Sequence, residues 1–542
     1  MEKEILQILD LINKQNIDKA YVEATKYYSK NKSNKRIMNI VAYLLIQKNK
    51  FEDAIDLQES FYRENNEEED FDFYINMGVS LKSLEEYKDS EDMFSKAKEI
   101  NPESPLSFMT PAEIKLKLRK FEEALKLINL ALKIIQSAKD INHLQMAHAI
   151  RVKSEILIAL NRQQENYEFL KEQLDQVFNS DVFYFLVQSN PNLPEKKLIE
   201  LVESRLKSNE VKFVSKLDRF WNVHPLYFGL AKYYEKIDKT KSEELYIKGN
   251  LEVNNSLRFN SYNYQKQIVS IIDNFNQEFS NLSINEENIG EKNIFILGSP
   301  RSGTTLIESI IGSNNNVTSA GELLSASRMI ERFLQSSKKV NVNNFIQDFQ
   351  DKYISRINYI KANKEFVIDK LPENFSYIGY LNKILPKSKI IRTFRHPWDV
   401  ATSLFKQRYV ANIPYSCSFF NIGVFFANFE AINKFWDKKL DQKNILDIRY
   451  EELVSDSSLW QKTIYKFLGI DGAYNEEDRQ SFFSPTASMH QISSPVHQKS
   501  VSKDDFNQYK SEFYDALHMQ RKYWEKQGFI NQEKTFYGYN LD

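Results

Sequence analysis

The sequence predicts an all-α helical-repeat half followed by an α/β half built on a parallel central sheet. Three observations predict it. Of 14 glycines, only Gly78, Gly229 and Gly249 precede residue 290. A glycine-poor stretch with long amphipathic patterns reads as helical, and a glycine-richer one with short β-branched runs reads as α/β. The first half also repeats at spacings of 36 and 34 residues. The second half opens with an apolar run, a glycine-bearing loop and a helical pattern in direct succession. The polar stretch NLSINEENIGEKN (281–293) separates the halves, giving expected domains of 1–285 and 286–542.

Composition sets the outer limits. A length of 542 residues corresponds to three or four domain equivalents at about 150 residues each. Lys+Arg total 73 and Asp+Glu 74, a formal net charge of -1. That argues against a globally basic nucleic-acid binder and leaves a local anion site open. Cys417 is the only cysteine, so no disulfide framework or cysteine-based zinc site is expected, and the seven histidines lack a metal-ligand spacing. Apolar residues make up 42%, too many for a disordered chain. No apolar run approaches 18 residues, so no membrane span is expected. The start Met1-Glu2-Lys3-Glu4 has no signal-peptide core. The expectation is a soluble, reduced-compartment, cytoplasmic protein.

The internal period is carried by FEDAIDL from Phe51, YKDSEDM from Tyr87 and FEEALKL from Phe121. Each aromatic is followed three residues later by a small residue: Ala54, Ser90 and Ala124. Each unit continues as an amphipathic helix, and Asn101-Pro102 closes one of them. Ala42 and Gly78 are small upstream positions where two helices can approach closely. This helix-turn-helix pattern resembles tetratricopeptide repeats. Residues 225–250 look like another unit, and no clean register is visible from 140 to 222. Such repeats stack into a superhelix whose concave face binds a peptide or protein in many cases; a scaffold or a homodimerisation surface is the alternative.

Residues 294–311 read IFILGSPRSGTTLIESII. Ile294–Leu297 is a short buried strand, and from Thr305 onward Leu306, Ile310 and Ile311 share one helical face. Between them, Gly298 to Thr305 has the length and glycine spacing of a Walker A loop. Glycines let successive N–H groups turn inward around an anion, and the helix N-terminus adds positive potential. Thr304 stands where a nucleoside triphosphatase carries lysine, which argues against ATP or GTP hydrolysis. Arg301, inside the loop, supplies a cation instead.

This segment resembles the loop of the 3′-phosphoadenosine 5′-phosphosulfate (PAPS)-dependent sulfotransferases. With a repeat domain in front, the chain looks like the bacterial tetratricopeptide-repeat sulfotransferases, whose catalytic half is similar to the tyrosylprotein sulfotransferases. The resemblance implies that Arg301, Ser302, Gly303, Thr304 and Thr305 bind the 5′-phosphosulfate. Glu322, in Ser319-Ala320-Gly321-Glu322-Leu323, matches the family's catalytic base, which accepts the acceptor proton as the new S–O bond forms. In FVIDKLPENF (366–375), Lys370 follows a short strand and matches the lysine that stabilises the transferring group. In KIIRTFRHPWDVATSLFKQRY (389–409), Lys389–Thr393 is a strand and Pro397 opens a helix. Arg395 and Ser403, eight residues apart, match the pair that binds the 3′-phosphate. Arg408 lies one residue out of the tyrosylprotein register and is a lesser candidate, and Trp398 reads as packing. Tyr450, after the strand in ILDIRYEELVSD, matches a cofactor-contacting tyrosine, with core packing as the alternative.

The polar run TASMHQISSPVHQKSVSK (486–503) resembles the family's C-terminal cofactor lid. Ser488, Gln491, Pro495 and Lys503 keep the tyrosylprotein spacing. The resemblance implies that Ser488 assists transfer, while Gln491 and Lys503 bind cofactor. Many relatives carry arginine where this chain has Ser493-Ser494, which weakens the expected cofactor contacts. His490 and His497 read as lid or surface residues. The implied reaction moves a sulfuryl group from PAPS to an acceptor hydroxyl without a metal, because the donor is an activated mixed anhydride. The implied acceptor is a peptide or protein tyrosine, with carbohydrate and small-molecule hydroxyls left open. Two other classes remain: a kinase-like phosphotransferase, and a non-catalytic repeat scaffold with a decayed phosphate-loop domain.

Overall fold

The computed structural model describes residues 2–14, 16–65, 68–138, 140, 142–176, 178–189, 194–207, 216–282, 289–336, 340–409, 413–472, 475–484, 505–532 and 534–541. They form two compact units, Met1–Ile156 and Leu157–Asp542. No described helix is long and apolar enough to cross a membrane.

The first unit is all-helical. It holds α1 (Glu2–Asn13), α2 (Ile17–Lys30), α3 (Lys35–Gln47), α4 (Phe51–Asn65), α5 (Phe71–Ser83), α6 (Tyr87–Ile100), α7 (Leu106–Lys117), α8 (Phe121–Ser137) and most of α9 (His143–Ala159). Consecutive helices pack on one another from α1 to α8. The repeated aromatics Phe51, Tyr87 and Phe121 each open a helix, and Ala54, Ser90 and Ala124 are fully buried. Small residues are needed there: Ser90 donates to the Gly78 carbonyl over 2.7 Å, and a Cβ on Gly78 would lie 2.6 Å from Phe94.

The turns repeat as closely as the helices. Asn49, Glu85 and Arg119 adopt left-handed φ values of 56°, 65° and 60°. The next N–H in each case reaches back five residues, Lys50 to Leu45, Glu86 to Leu81 and Lys120 to Lys115, at 2.8–2.9 Å. This bond pattern satisfies an orphan carbonyl at the end of each first helix. Asn161 and Arg162 repeat it after α9, with φ 59° and 2.9 Å to Leu157.

The second unit begins with helices α10 (Gln163–Gln176), α11 (Ser180–Ser189), α12 (Lys196–Lys207), α13 (Lys216–Tyr234), α14 (Lys239–Ser256) and α15 (Ser261–Asn274). The compositional change at 285/286 therefore falls inside this unit. Helix α13 runs through Pro225 and pairs with α14.

Five strands then alternate with helices: β1 (Asn293–Gly298), α16 (Thr304–Gly312), β2 (Val317–Ser319), α17 (Ser325–Gln335), α18 (Val342–Lys361), β3 (Phe366–Asp369), α19 (Ile378–Ile384), β4 (Lys389–Phe394), α20 (Pro397–Phe405), α21 (Phe419–Lys439), β5 (Ile445–Arg449), α22 (Tyr450–Ser455), α23 (Ser457–Leu468), α24 (Glu476–Ser481) and α25 (Lys510–Lys526). The sheet order is β2-β3-β1-β4-β5, and every pair is parallel. Ile294, Ile296, Ile368, Ile391 and Ile448 from the strands pack with Ile307, Ile310 and Ile311 of α16. Burial on both faces explains why β1 and β3 read as nearly unbroken apolar runs.

Candidate functional site

The candidate residues gather where the parallel strands end. Each strand delivers its chemistry just past its C-terminus: the loop after β1, Glu322 after β2, Lys370 after β3, Arg395 after β4 and Tyr450 after β5. Open α/β sheets bind ligands in this crevice.

The loop is shaped by backbone conformation. Arg301 has φ 69° and Gly303 φ 106°, and α16 begins at Thr304. Glycine is required at 303, because a Cβ there would lie 2.6 Å from the Tyr450 ring. Ser302 braces the loop from inside: its hydroxyl donates to the Ser299 carbonyl over 2.6 Å and shares a hydrogen bond with Thr393 Oγ1. Thr304 and Thr305 are buried in the first turn of α16.

Three other expected residues close around the loop. Arg301 Nε donates to Ser403 Oγ over 2.9 Å. An Arg395 amine donates to the Arg301 carbonyl over 3.1 Å. The Arg395 guanidinium also lies over the Tyr450 ring, 4.5 Å from its centroid. Burial lowers the pKa of Arg301, with Arg395 adding to the shift and the nearby Tyr409 opposing it.

The other half of the site is an ion pair. Lys370 Nζ donates to Glu322 Oε1 over 2.5 Å and lies 3.8 Å from Glu308 Oε2. The Lys370 side chain is 1% exposed and that of Glu322 39%. Burial works against the ammonium, but the charges of Glu322 and Glu308 outweigh it and raise the Lys370 pKa. Glu373, three residues on, is pushed up to about 7 by burial and by the charge of Glu322.

The structure thus unites Arg301, Ser302, Gly303, Thr304, Thr305, Glu322, Lys370, Arg395, Ser403 and Tyr450 on one edge of the sheet. Ser488, Gln491 and Lys503 lie outside the described residues, as do Pro495, His490 and His497. Trp398 packs between Phe419 and Phe513. Arg408 has its own partners: it donates to His224 over 2.8 Å and to Asp181 over 2.6 Å. It also lies over the Tyr184 ring. Burial and the Arg408 charge push His224 down to about 3, so this histidine stays neutral.

Glu308, Glu373, Tyr184 and Tyr409 add to the site beyond the sequence reading. Glu308 faces inward from a helix turn of mostly apolar residues. Glu373 sits in a Pro-Glu-Asn turn, a setting typical of solvated carboxylates. Tyr409 and Tyr184 both feel the Arg301 charge.

Residues 293–476 match the family model described as the sulfotransferase family. An uncharacterized protein of Aquifex aeolicus (strain VF5) is 26% identical over 295 residues, covering 51% of this chain and 39% of that protein. The chain therefore spans about two fifths of that relative's length. Among solved structures, the sulfotransferase domain of the Synechococcus PCC 7002 olefin synthase is 17% identical, covering 46% of this chain and 99% of that one, with a TM-score of 0.28. A sulfotransferase of Mycobacterium tuberculosis H37Rv is 13% identical, covering 60% of this chain and 99% of that one, with a TM-score of 0.26. The similarity to the sulfotransferase family thus covers residues 293–476 of this chain.

Proposed function

We propose that the chain transfers a sulfuryl group from PAPS to an acceptor hydroxyl, with a peptide or protein tyrosine as the first acceptor to test. The observation that carries this reading is the Lys370–Glu322 pair beside the Arg301–Ser403–Arg395–Tyr450 cluster, at the C-terminal ends of one parallel sheet. In this reading the acceptor oxygen attacks sulfur, the S–O bond to the 5′-phosphate breaks, and the acceptor proton passes to Glu322. The charge released onto the 5′-phosphate meets the Lys370 ammonium and the N-terminus of α16. Arg395 and Ser403 grip the 3′-phosphate, and Arg301 fixes the loop and Ser403 together. Ser488, Gln491 and Lys503 join the site by family resemblance. The tyrosine acceptor rests on the tyrosylprotein resemblance and on a helical-repeat region of the kind that takes peptides. A cytoplasmic location fits the single, unpaired Cys417, and homodimerisation is a further proposal.

Calorimetric titration with adenosine 3′,5′-bisphosphate, 5′-AMP and ATP tests the donor class. Binding that requires the 3′-phosphate supports the reading. A preference for ATP, or no binding, overturns it in favour of a kinase-like enzyme or a scaffold.

A further inference from the structure

Glu308 is a fully buried carboxylate with no part in the transfer step described above. Both of its oxygens are held. Oε1 accepts from Ser319 Oγ over 2.5 Å, and Oε2 accepts from Ser484 Oγ over 2.7 Å. Oε2 also lies 3.8 Å from Lys370 Nζ. Ser319 in turn accepts the Gly321 N–H over 3.0 Å, and the Gly321 carbonyl accepts the Lys370 N–H over 2.9 Å. One side chain on the phosphate-loop helix therefore links the strand end that carries Glu322, the amine of Lys370 and the hydroxyl of Ser484.

We infer that Glu308 is a positioning residue: the fixed counter-ion that keeps Lys370 charged when Glu322 leaves it to take the acceptor proton. This rests on the roles given to Lys370 and Glu322 under the proposed function. Three carboxylates act on the Lys370 ammonium: Glu322, Glu308 and Glu373. Glu322 is half-open to solvent and must exchange partners during turnover. Glu308 is clamped by two serines and cannot. A buried ammonium stripped of its counter-ions loses its proton readily. Glu308 prevents this at the moment the base is engaged elsewhere, and through Ser319 it also holds the turn from which Glu322 projects.

The test has two arms on the full chain. Competitive acetylation by acetic anhydride, read by mass spectrometry at Lys370 across pH 7 to 10, reports the ammonium without any substrate. Calorimetry with PAPS at pH 6.5 and 9 reports donor binding. In Glu308→Gln, acetylation of Lys370 at pH 8 should rise about tenfold, the equivalent of one pKa unit. PAPS affinity should fall more at pH 9 than at pH 6.5, and Glu308→Asp should restore most of both. Should Glu308→Gln fail to fold, Ser484→Ala keeps the charge but frees the carboxylate, and a rise of about two- to threefold is expected. An unchanged acetylation profile in wild-type-like folded variants overturns the inference while leaving the donor reading intact. An equal loss of PAPS affinity at both pH values, not restored by Glu308→Asp, indicates a purely structural part and also overturns it. Wild-type protein that takes up no PAPS overturns the donor reading, and this role for Glu308 with it.

Discussion

Lys370 Nζ and Glu322 Oε1 meet at 2.5 Å although 48 residues separate them. The sheet explains it. β2 and β3 are adjacent and parallel, with Ser319 opposite Ile368. Glu322 and Lys370 leave these strands three and two residues later, so they emerge at the same level. The pairing couples the expected proton acceptor to the expected stabilising cation before any substrate arrives.

Replacing Glu322 by Gln should separate binding from turnover. General-base catalysis is worth about 10²–10⁴ in rate. Sulfuryl transfer to a tyrosine peptide should therefore fall by that factor, with affinity for adenosine 3′,5′-bisphosphate changed by less than about threefold. Lys370 keeps Glu308 nearby, so the buried amine is not stranded. Single-turnover transfer and calorimetry check the pair of outcomes, and normal turnover would remove Glu322 as the base.

Arg395 should matter only to ligands with a 3′-phosphate. A charge-assisted hydrogen bond contributes about 1.5–3 kcal/mol. Arg395→Ala should then weaken adenosine 3′,5′-bisphosphate binding by roughly 10–150-fold. Binding of 5′-AMP should change much less. The residue also holds the Arg301 carbonyl. Loss of affinity for both nucleotides alike would therefore mark it as a loop brace instead of a phosphate ligand.

The site was legible where chemistry and spacing coincide in the chain. The loop glycines and Arg301 follow a plain apolar run, and the strands before Lys370, Arg395 and Tyr450 are also readable, but the roles of these three residues come from the family resemblance. The three-residue β2 gives no such run, so Glu322 rested on resemblance alone. The repeat helices were legible from Phe51, Tyr87 and Phe121, but their turns were not. Left-handed turn positions are usually glycine, and here they are Asn49, Glu85 and Arg119. Glu308 was hidden because one carboxylate in an apolar helical run looks like any surface glutamate until its serine partners are placed, 11 and 176 residues away. Arg408 likewise finds Asp181 and His224 only through folding, 227 and 184 residues upstream.

Gly303→Ala should damage the loop in two ways. The residue has φ 106°, which an L side chain rarely adopts. The new methyl would also stand 2.6 Å from the Tyr450 ring. Overpacking of this kind costs about 1–3 kcal/mol. A lower melting temperature is expected, together with weaker binding of adenosine 3′,5′-bisphosphate. Adding Tyr450→Ala removes the collision and leaves the backbone strain, so the double variant should recover part of the stability. No recovery would place the whole effect in the backbone.

Glu373 should make stability depend on pH. Its carboxyl is pushed up to about 7 in the folded chain by burial and the Glu322 charge, against about 4.3 in an unfolded chain. The folded state therefore holds the proton more tightly. This contribution to stability is complete below about pH 4 and is lost as pH rises toward 7. Glu430, pushed up to about 7 chiefly by burial, works in the same direction and window, so the wild-type curve carries both. Glu373→Gln removes only the first. Between pH 5 and 7.5 the melting temperature of the variant should fall less than that of the wild type, leaving the variant relatively more stable at the upper end. Parallel melting curves would show that Glu373 does not titrate in that window.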